Sequence, residues 1–63
     1  MVRMARVGGS MQVGDLVIEG LSQYIGIITA VYPRASTYFV QFFDTYDGED
    51  LSDWYIAEYL EVI

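Results

Sequence analysis

Carboxylates and aromatic rings are the side chains this sequence supplies in quantity, and any chemistry must be drawn from them. The 63 residues carry nine Asp and Glu against three Lys and Arg, with no His and no Cys. The cations are Arg3, Arg6 and Arg34, so Lys is absent as well, and every acid lies from Asp15 onward. Without His, Cys or Lys, the usual general bases, thiol nucleophiles and Schiff-base amines are missing. A carboxylate pair acting as acid and base needs a water-excluding cleft to separate its pKa values, and a chain this short seldom builds one. No Gly-x-x-x-x-Gly-Lys run is present to cradle a phosphate. These residues argue against catalysis.

They argue instead for attraction of a cation. The formal net charge is −6, which repels a phosphate backbone and makes nucleic acid an unfavourable partner. A basic protein surface would be drawn in. The densest acidic stretch is Asp44, Asp47, Glu49 and Asp50, inside YFVQFFDTYDGED at residues 38–50. Hard cations take several carboxylate oxygens, but a helical-hand calcium loop wants acids at positions 1, 3 and 5 before a glycine at position 6. Counting back from Gly48 places Phe43 at position 1. The motif fails, and the cluster reads as a solvated turn with no metal or cofactor implied.

The elements that must hold these residues are short. Val13-Gly14-Asp15 is a turn signal before LVIE at 16–19, whose β-branched centre favours a strand. GLSQY reads as a loop, IGIITAVY at 25–32 as the next strand, and Pro33 ends it. After PRAS, TYFVQFF at 37–43 alternates Tyr38, Val40 and Phe42 on one face with Phe39, Gln41 and Phe43 on the other. The pair Asp47-Gly48 marks a turn. LSDWY at 51–55 returns as a fourth strand, IAEYL forms one helical turn of 3-10 type, and EVI closes as a fifth strand. Short strands at intervals of about a dozen residues, with no long helix, predict a small antiparallel barrel. An amphipathic helix over residues 52–61 is the rival local reading.

One domain is all that 63 residues allow, and a chain of this size buries only about 60% of its unfolded surface. Disulfides and His- or Cys-based zinc are unavailable, which leaves dense packing or association to supply stability. Gly8-Gly9-Ser10 reads as a flexible lead-in, either an upstream start or a cloning remnant, with the barrel running over 11–63. No stretch approaches the roughly 20 continuous apolar residues of a membrane-spanning helix. The opening MVRMARVGGS lacks the apolar core of a signal peptide. A cytoplasmic protein with no membrane partner is expected.

Over residues 12–63 the succession VGD, GIITAV, YFVQFFDTYDGED and IAEYLEVI resembles an SH3-like barrel of the Tudor and KOW type and, more weakly, short phage-encoded proteins of this fold. The resemblance rests on Val13-Gly14-Asp15, Gly26 to Ile28, Tyr38-Val40-Phe42, Asp44 to Gly48 and Leu60. It implies five strands with a helical turn before the last. Tudor readers of methylated Arg and Lys use an aromatic cage, and by position Tyr24, Phe43 and Tyr46 would fill three of its places. The first-loop aromatic falls on Leu21, a departure that leaves the cage incomplete. Asp47 or Glu49 would supply its polar member. Ring faces attract an alkylated cation by roughly 0.5–2 kcal/mol per contact.

Alternation assigns Tyr38, Val40 and Phe42 to the core and turns Phe39 and Phe43 outward, where an uncovered Phe calls for an interface or a covering loop. Trp54 and Tyr55 are expected to plug an open barrel end, with membership of an outward patch as the alternative. The expected function is a non-enzymatic adaptor docking a basic partner through Phe39, Phe43, Tyr46, Tyr24, Asp44, Asp47 and Glu49. Three alternatives are a self-associating component of a larger, phage-type assembly, a methyl-cation reader, and a KOW-like nucleic-acid binder. Charge opposes the last.

Overall fold

The computed structural model describes residues 11–63; the expected lead-in over 1–10 lies outside them. Five strands run as β1 Leu16–Glu19, β2 Ile25–Tyr32, β3 Thr37–Phe42, β4 Asp53–Ile56 and β5 Leu60–Val62, all antiparallel, in the sheet order β4-β3-β2-β1-β5. The chain meanders from β1 to β4 and then returns β5 to the far side of β1. The 3-10 turn expected before the last strand is Ala57–Tyr59, and Pro33–Ala35 forms a second one between β2 and β3. The rival helix over 52–61 gives way to β4 and that three-residue turn. Among the described residues no helix is long and apolar enough to cross a membrane.

The opening motif is a closed turn. The Asp15 N–H donates to the Gln12 carbonyl at 3.0 Å, and Gly14 sits at φ +96°. That is the position of a type II turn which only glycine fills without strain. The Asp15 carboxylate accepts the Gln12 N–H at 2.9 Å and is itself buried. Backbone bonds from Gly14 N–H to Ile28 O (2.8 Å) and from Ile28 N–H to Asp15 O (3.0 Å) fasten the turn to β2. Val-Gly-Asp is thus a piece of architecture.

The core gathers Val17, Ile28, Tyr38, Val40, Phe42, Leu60 and Met11, with Tyr24, Val31, Leu51, Tyr55, Ala57 and Val62 packed against it. Tyr38, Val40 and Phe42 are buried as alternation requires. Gly26 lets β2 approach β3: a Cβ there would stand 2.7 Å from the Gln41 carbonyl and from Val40 Cγ1. Pairing between these strands slips after Ile28↔Val40 to Ala30↔Phe39, leaving Thr29 as the extra residue of a β-bulge. Before the bulge Gly26 and Ile28 face inward; after it Val31 does, opposite Tyr38. Bulges bend the strand that carries them, and here the bend falls midway along the longest strand.

Trp54 corrects one expectation. It does not plug the barrel; it pairs with Phe39 across the outward face of β3 and β4 and remains about half exposed. The register of β4 decides this, because Tyr38↔Tyr55 turns Tyr55 inward and so turns its neighbour out. Tyr55 lies edge-on to Phe42 at 5.6 Å, and its hydroxyl donates to the Leu51 carbonyl at 2.9 Å. Burial first, then the negative charges of Glu19 and Asp53, push the Tyr55 phenol above its ordinary pKa.

Candidate functional site

The connection from β3 to β4 carries most of the predicted site. Phe43 extends the pairing of β3 by one residue, its N–H donating to the Ile25 carbonyl at 3.1 Å, and its ring is 63% exposed. Tyr46, equally exposed, opens a two-residue hairpin turn closed by Tyr46 N–H to Glu49 O (2.9 Å) and Glu49 N–H to Tyr46 O (2.8 Å). Asp47 and Gly48 both take positive φ, at 52° and 81°. This is the type I′ geometry that an Asp-Gly pair favours. Asp44, Asp47 and Glu49 are exposed around it, so two aromatic rings and three carboxylates share one short surface segment.

A hydroxyl anchors that segment to the sheet. The Phe42 N–H donates to Ser52 Oγ at 3.1 Å, which in turn donates to Asp50 Oδ1 at 2.6 Å; the Ser52 N–H also donates to that oxygen at 3.0 Å. Ser52 thereby replaces the strand partner that Phe42 would otherwise need where β4 departs from β3. The Ser52 hydroxyl and then its N–H hold the Asp50 carboxyl below its ordinary pKa. The sequence offers only Asp-x-Ser as a signal for this arrangement, a common local turn pattern.

Phe39 sits elsewhere on the outward face. Its ring meets Trp54 edge-on at 5.5 Å and 82°, an aromatic cross-strand pair of the kind that stabilises a sheet. Along β3 it stands four residues before Phe43, about 13 Å away at the usual strand rise, with Gln41 between them. Tyr24, immediately before β2, is half-buried and lies edge-on to Phe42 at 6.1 Å. Among the described residues Phe43 and Tyr46 enter no ring–ring contact. The structure therefore places Phe43, Tyr46, Asp44, Asp47 and Glu49 together, sets Phe39 beside Trp54, and ties Tyr24 to a core ring. Leu21 projects from the first loop at 85% exposure.

That first loop is built on a carboxylate that sequence reasoning passed over. Glu19 ends β1 on the inward face and is buried; its oxygens accept the N–H groups of Ser22 at 2.7 Å and Leu21 at 3.0 Å. The one hint was an acid at an inward position of LVIE. A second surface was passed over as well: Leu16, Ile18, Ile25 and Ile27 alternate outward with the buried Val17, Gly26 and Ile28. Read singly, each β-branched strand promised only core.

No group of three or more Asp and Glu among the described residues is arranged to hold a metal ion. What the site offers is ring faces, carboxylates and exposed backbone turns, all suited to binding a surface. No family model, curated protein or solved structure matches the chain significantly, so the guide to its function is the chemistry of these surfaces.

Proposed function

We propose that this chain is a non-enzymatic interaction module that docks a basic protein partner through the connection between β3 and β4. One observation carries the reading: Phe43 and Tyr46 stand in water beside Asp44, Asp47 and Glu49 on a segment whose backbone is fixed at both ends. Exposed rings flanked by carboxylates suit Arg and Lys side chains, which stack their apolar stems and cationic heads on aromatic faces. The Phe39–Trp54 pair adds a second aromatic contact on the same outward side of β3. Long-range attraction from the net charge speeds encounter with a basic surface.

The test is parallel capture by the wild-type chain and by the variant Phe43→Ser/Tyr46→Ser, with the melting temperature of each measured beforehand. Both rings are exposed, so the variant should melt within a few degrees of wild type. Wild type should retain basic proteins that the variant releases, and that capture should weaken as salt is raised to a few hundred millimolar. Capture that is undiminished in the variant, or that persists unchanged at high salt, would refute this reading.

A further inference from the structure

Phe43 is also the corner of a second outward surface. Across β5, β1 and β2, Ile63, Leu16 and Ile27 stand in one row, with Gln41 of β3 next in line. In the adjacent row Ile18, Ile25 and Phe43 lie side by side, and Glu61 closes the β5 end. Ile63 is 59%, Ile25 45% and Leu16 44% exposed. Aliphatic side chains lie side by side here across the end of β5, β1 and β2, with Phe43 at the β3 edge, and a contiguous exposed apolar patch of this kind marks an interaction site.

Charge decides what covers it. Asp44 follows Phe43 directly, with Asp47, Glu49 and Asp50 beyond, while Glu61 borders the opposite end of the same row. Among the described residues the one cation is Arg34, in the 3-10 turn after β2, past the far end of that strand. A symmetric pair of copies would set the same patch against itself, so the carboxylates at its ends would face carboxylates, and among the described residues no cation stands on the face to separate them. A partner with the opposite pattern, an apolar stripe flanked by Lys or Arg, meets no such penalty.

We infer that this aliphatic face is the floor on which a basic amphipathic segment of another protein lies. Its apolar side chains rest on Leu16, Ile25, Ile27 and Ile63, and its cations reach the acidic connection and Glu61. The inference rests on the docking reading above and gives the partner its chemistry.

The probe is a helical leucine–lysine peptide with one apolar face, titrated into the full chain carrying labelled Ile and Leu methyl groups and labelled aromatic rings. Two controls are the same peptide with Glu for Lys, and a scrambled peptide of unchanged composition. The amphipathic leucine–lysine peptide should shift the methyl signals of Leu16, Ile25, Ile27 and Ile63. Leu16→Ser/Ile25→Ser should weaken its binding about tenfold or more, on the scale of a lost apolar anchor. Should that variant unfold, Ile63→Ser, just beyond β5, gives the same reading. Shifts confined to Phe39, Tyr46 and Trp54 overturn this inference and leave the docking reading standing. No shift from any peptide removes both. Equal binding of either control, or a chain that sediments as a dimer until Ile25→Ser makes it monomeric, also overturns it, the last by assigning the face to a second copy.

Discussion

Glu19 is closed off from water and yet is held in its charged form. Burial pushes its carboxyl pKa up, but the N–H groups of Leu21 and Ser22 and the Ser22 hydroxyl outweigh that and leave it below the ordinary 4.5. A pKa depressed on folding means that the unfolded chain takes up the proton first. The stability from Glu19 is therefore present above the unfolded pKa and is lost as pH falls through the folded one. Glu19→Gln should flatten the stability-versus-pH curve below about pH 4.5 and cost about 1–3 kcal/mol at neutral pH, since a neutral amide must face two N–H groups. Asp50 titrates in the same acid window, so the difference between the two curves isolates Glu19. The variant should also lower the Tyr55 pKa, which the Glu19 charge helps to raise; ultraviolet titration of the phenols would show it. A second residue-scale prediction concerns Gly26, where a methyl group would meet backbone 2.7 Å away. Gly26→Ala should destabilise by about 1–3 kcal/mol in a denaturant melt, the cost of overpacking. A change under a few tenths would mean the strands can part there freely.

At the scale of elements, the β3–β4 connection depends on one turn. Gly48→Ala places a Cβ on a residue at φ +81° and should cost about 1 kcal/mol by urea unfolding while leaving the sheet intact. The steric space there is open, so the effect reports backbone strain alone. This turn was legible beforehand because Asp-Gly has a local reason to bend, and Val-Gly-Asp was legible in the same way. β2 was foreseen over its whole length, and β3 to within a residue, because alternation and Pro33 bound them. The start of β4 was not, since Ser52 leaves the ladder to hold the Phe42 N–H by its side chain, a contact ten residues distant in sequence. The bulge at Thr29 was hidden for a similar reason: a run of β-branched residues looks alike from either face. Trp54 was placed on the wrong side because its face depends on which residue of β3 it meets. Of the site, the cluster at Phe43 to Glu49 could be read from its contiguity. The Tyr24–Phe42 pair and the aliphatic rows exist only once strands are laid side by side.

For the whole molecule, charge opposes compactness. The described residues hold all nine acids and a single arginine, and like charges on a small fold repel. Screening shortens the Debye length from about 30 Å at 0.01 M to about 8 Å at 0.15 M salt. The melting temperature, followed by circular dichroism, should rise by several degrees over that range, and a flat or falling response would mean that the acids are too far apart to repel. The composition announced this imbalance. It did not announce how the barrel divides its outward surface, with Leu16, Ile18, Ile25, Ile27 and Ile63 on one side and Tyr32, Phe39, Trp54 and Ile56 on the other.

Thr29 lies on the border between those two sides. Remove it in thought, and Ile28 still faces in, Ala30 out, Val31 in and Tyr32 out: every neighbour keeps the side it already has. The residue assigns no one a place; it only sets the crease. The dihedral between the aliphatic and the aromatic walls is thus a separately adjustable quantity, controlled by an exposed threonine that belongs to neither. A partner broad enough to touch both walls would feel the loss of Thr29 as a change of shape, with the chemistry of each wall unaltered.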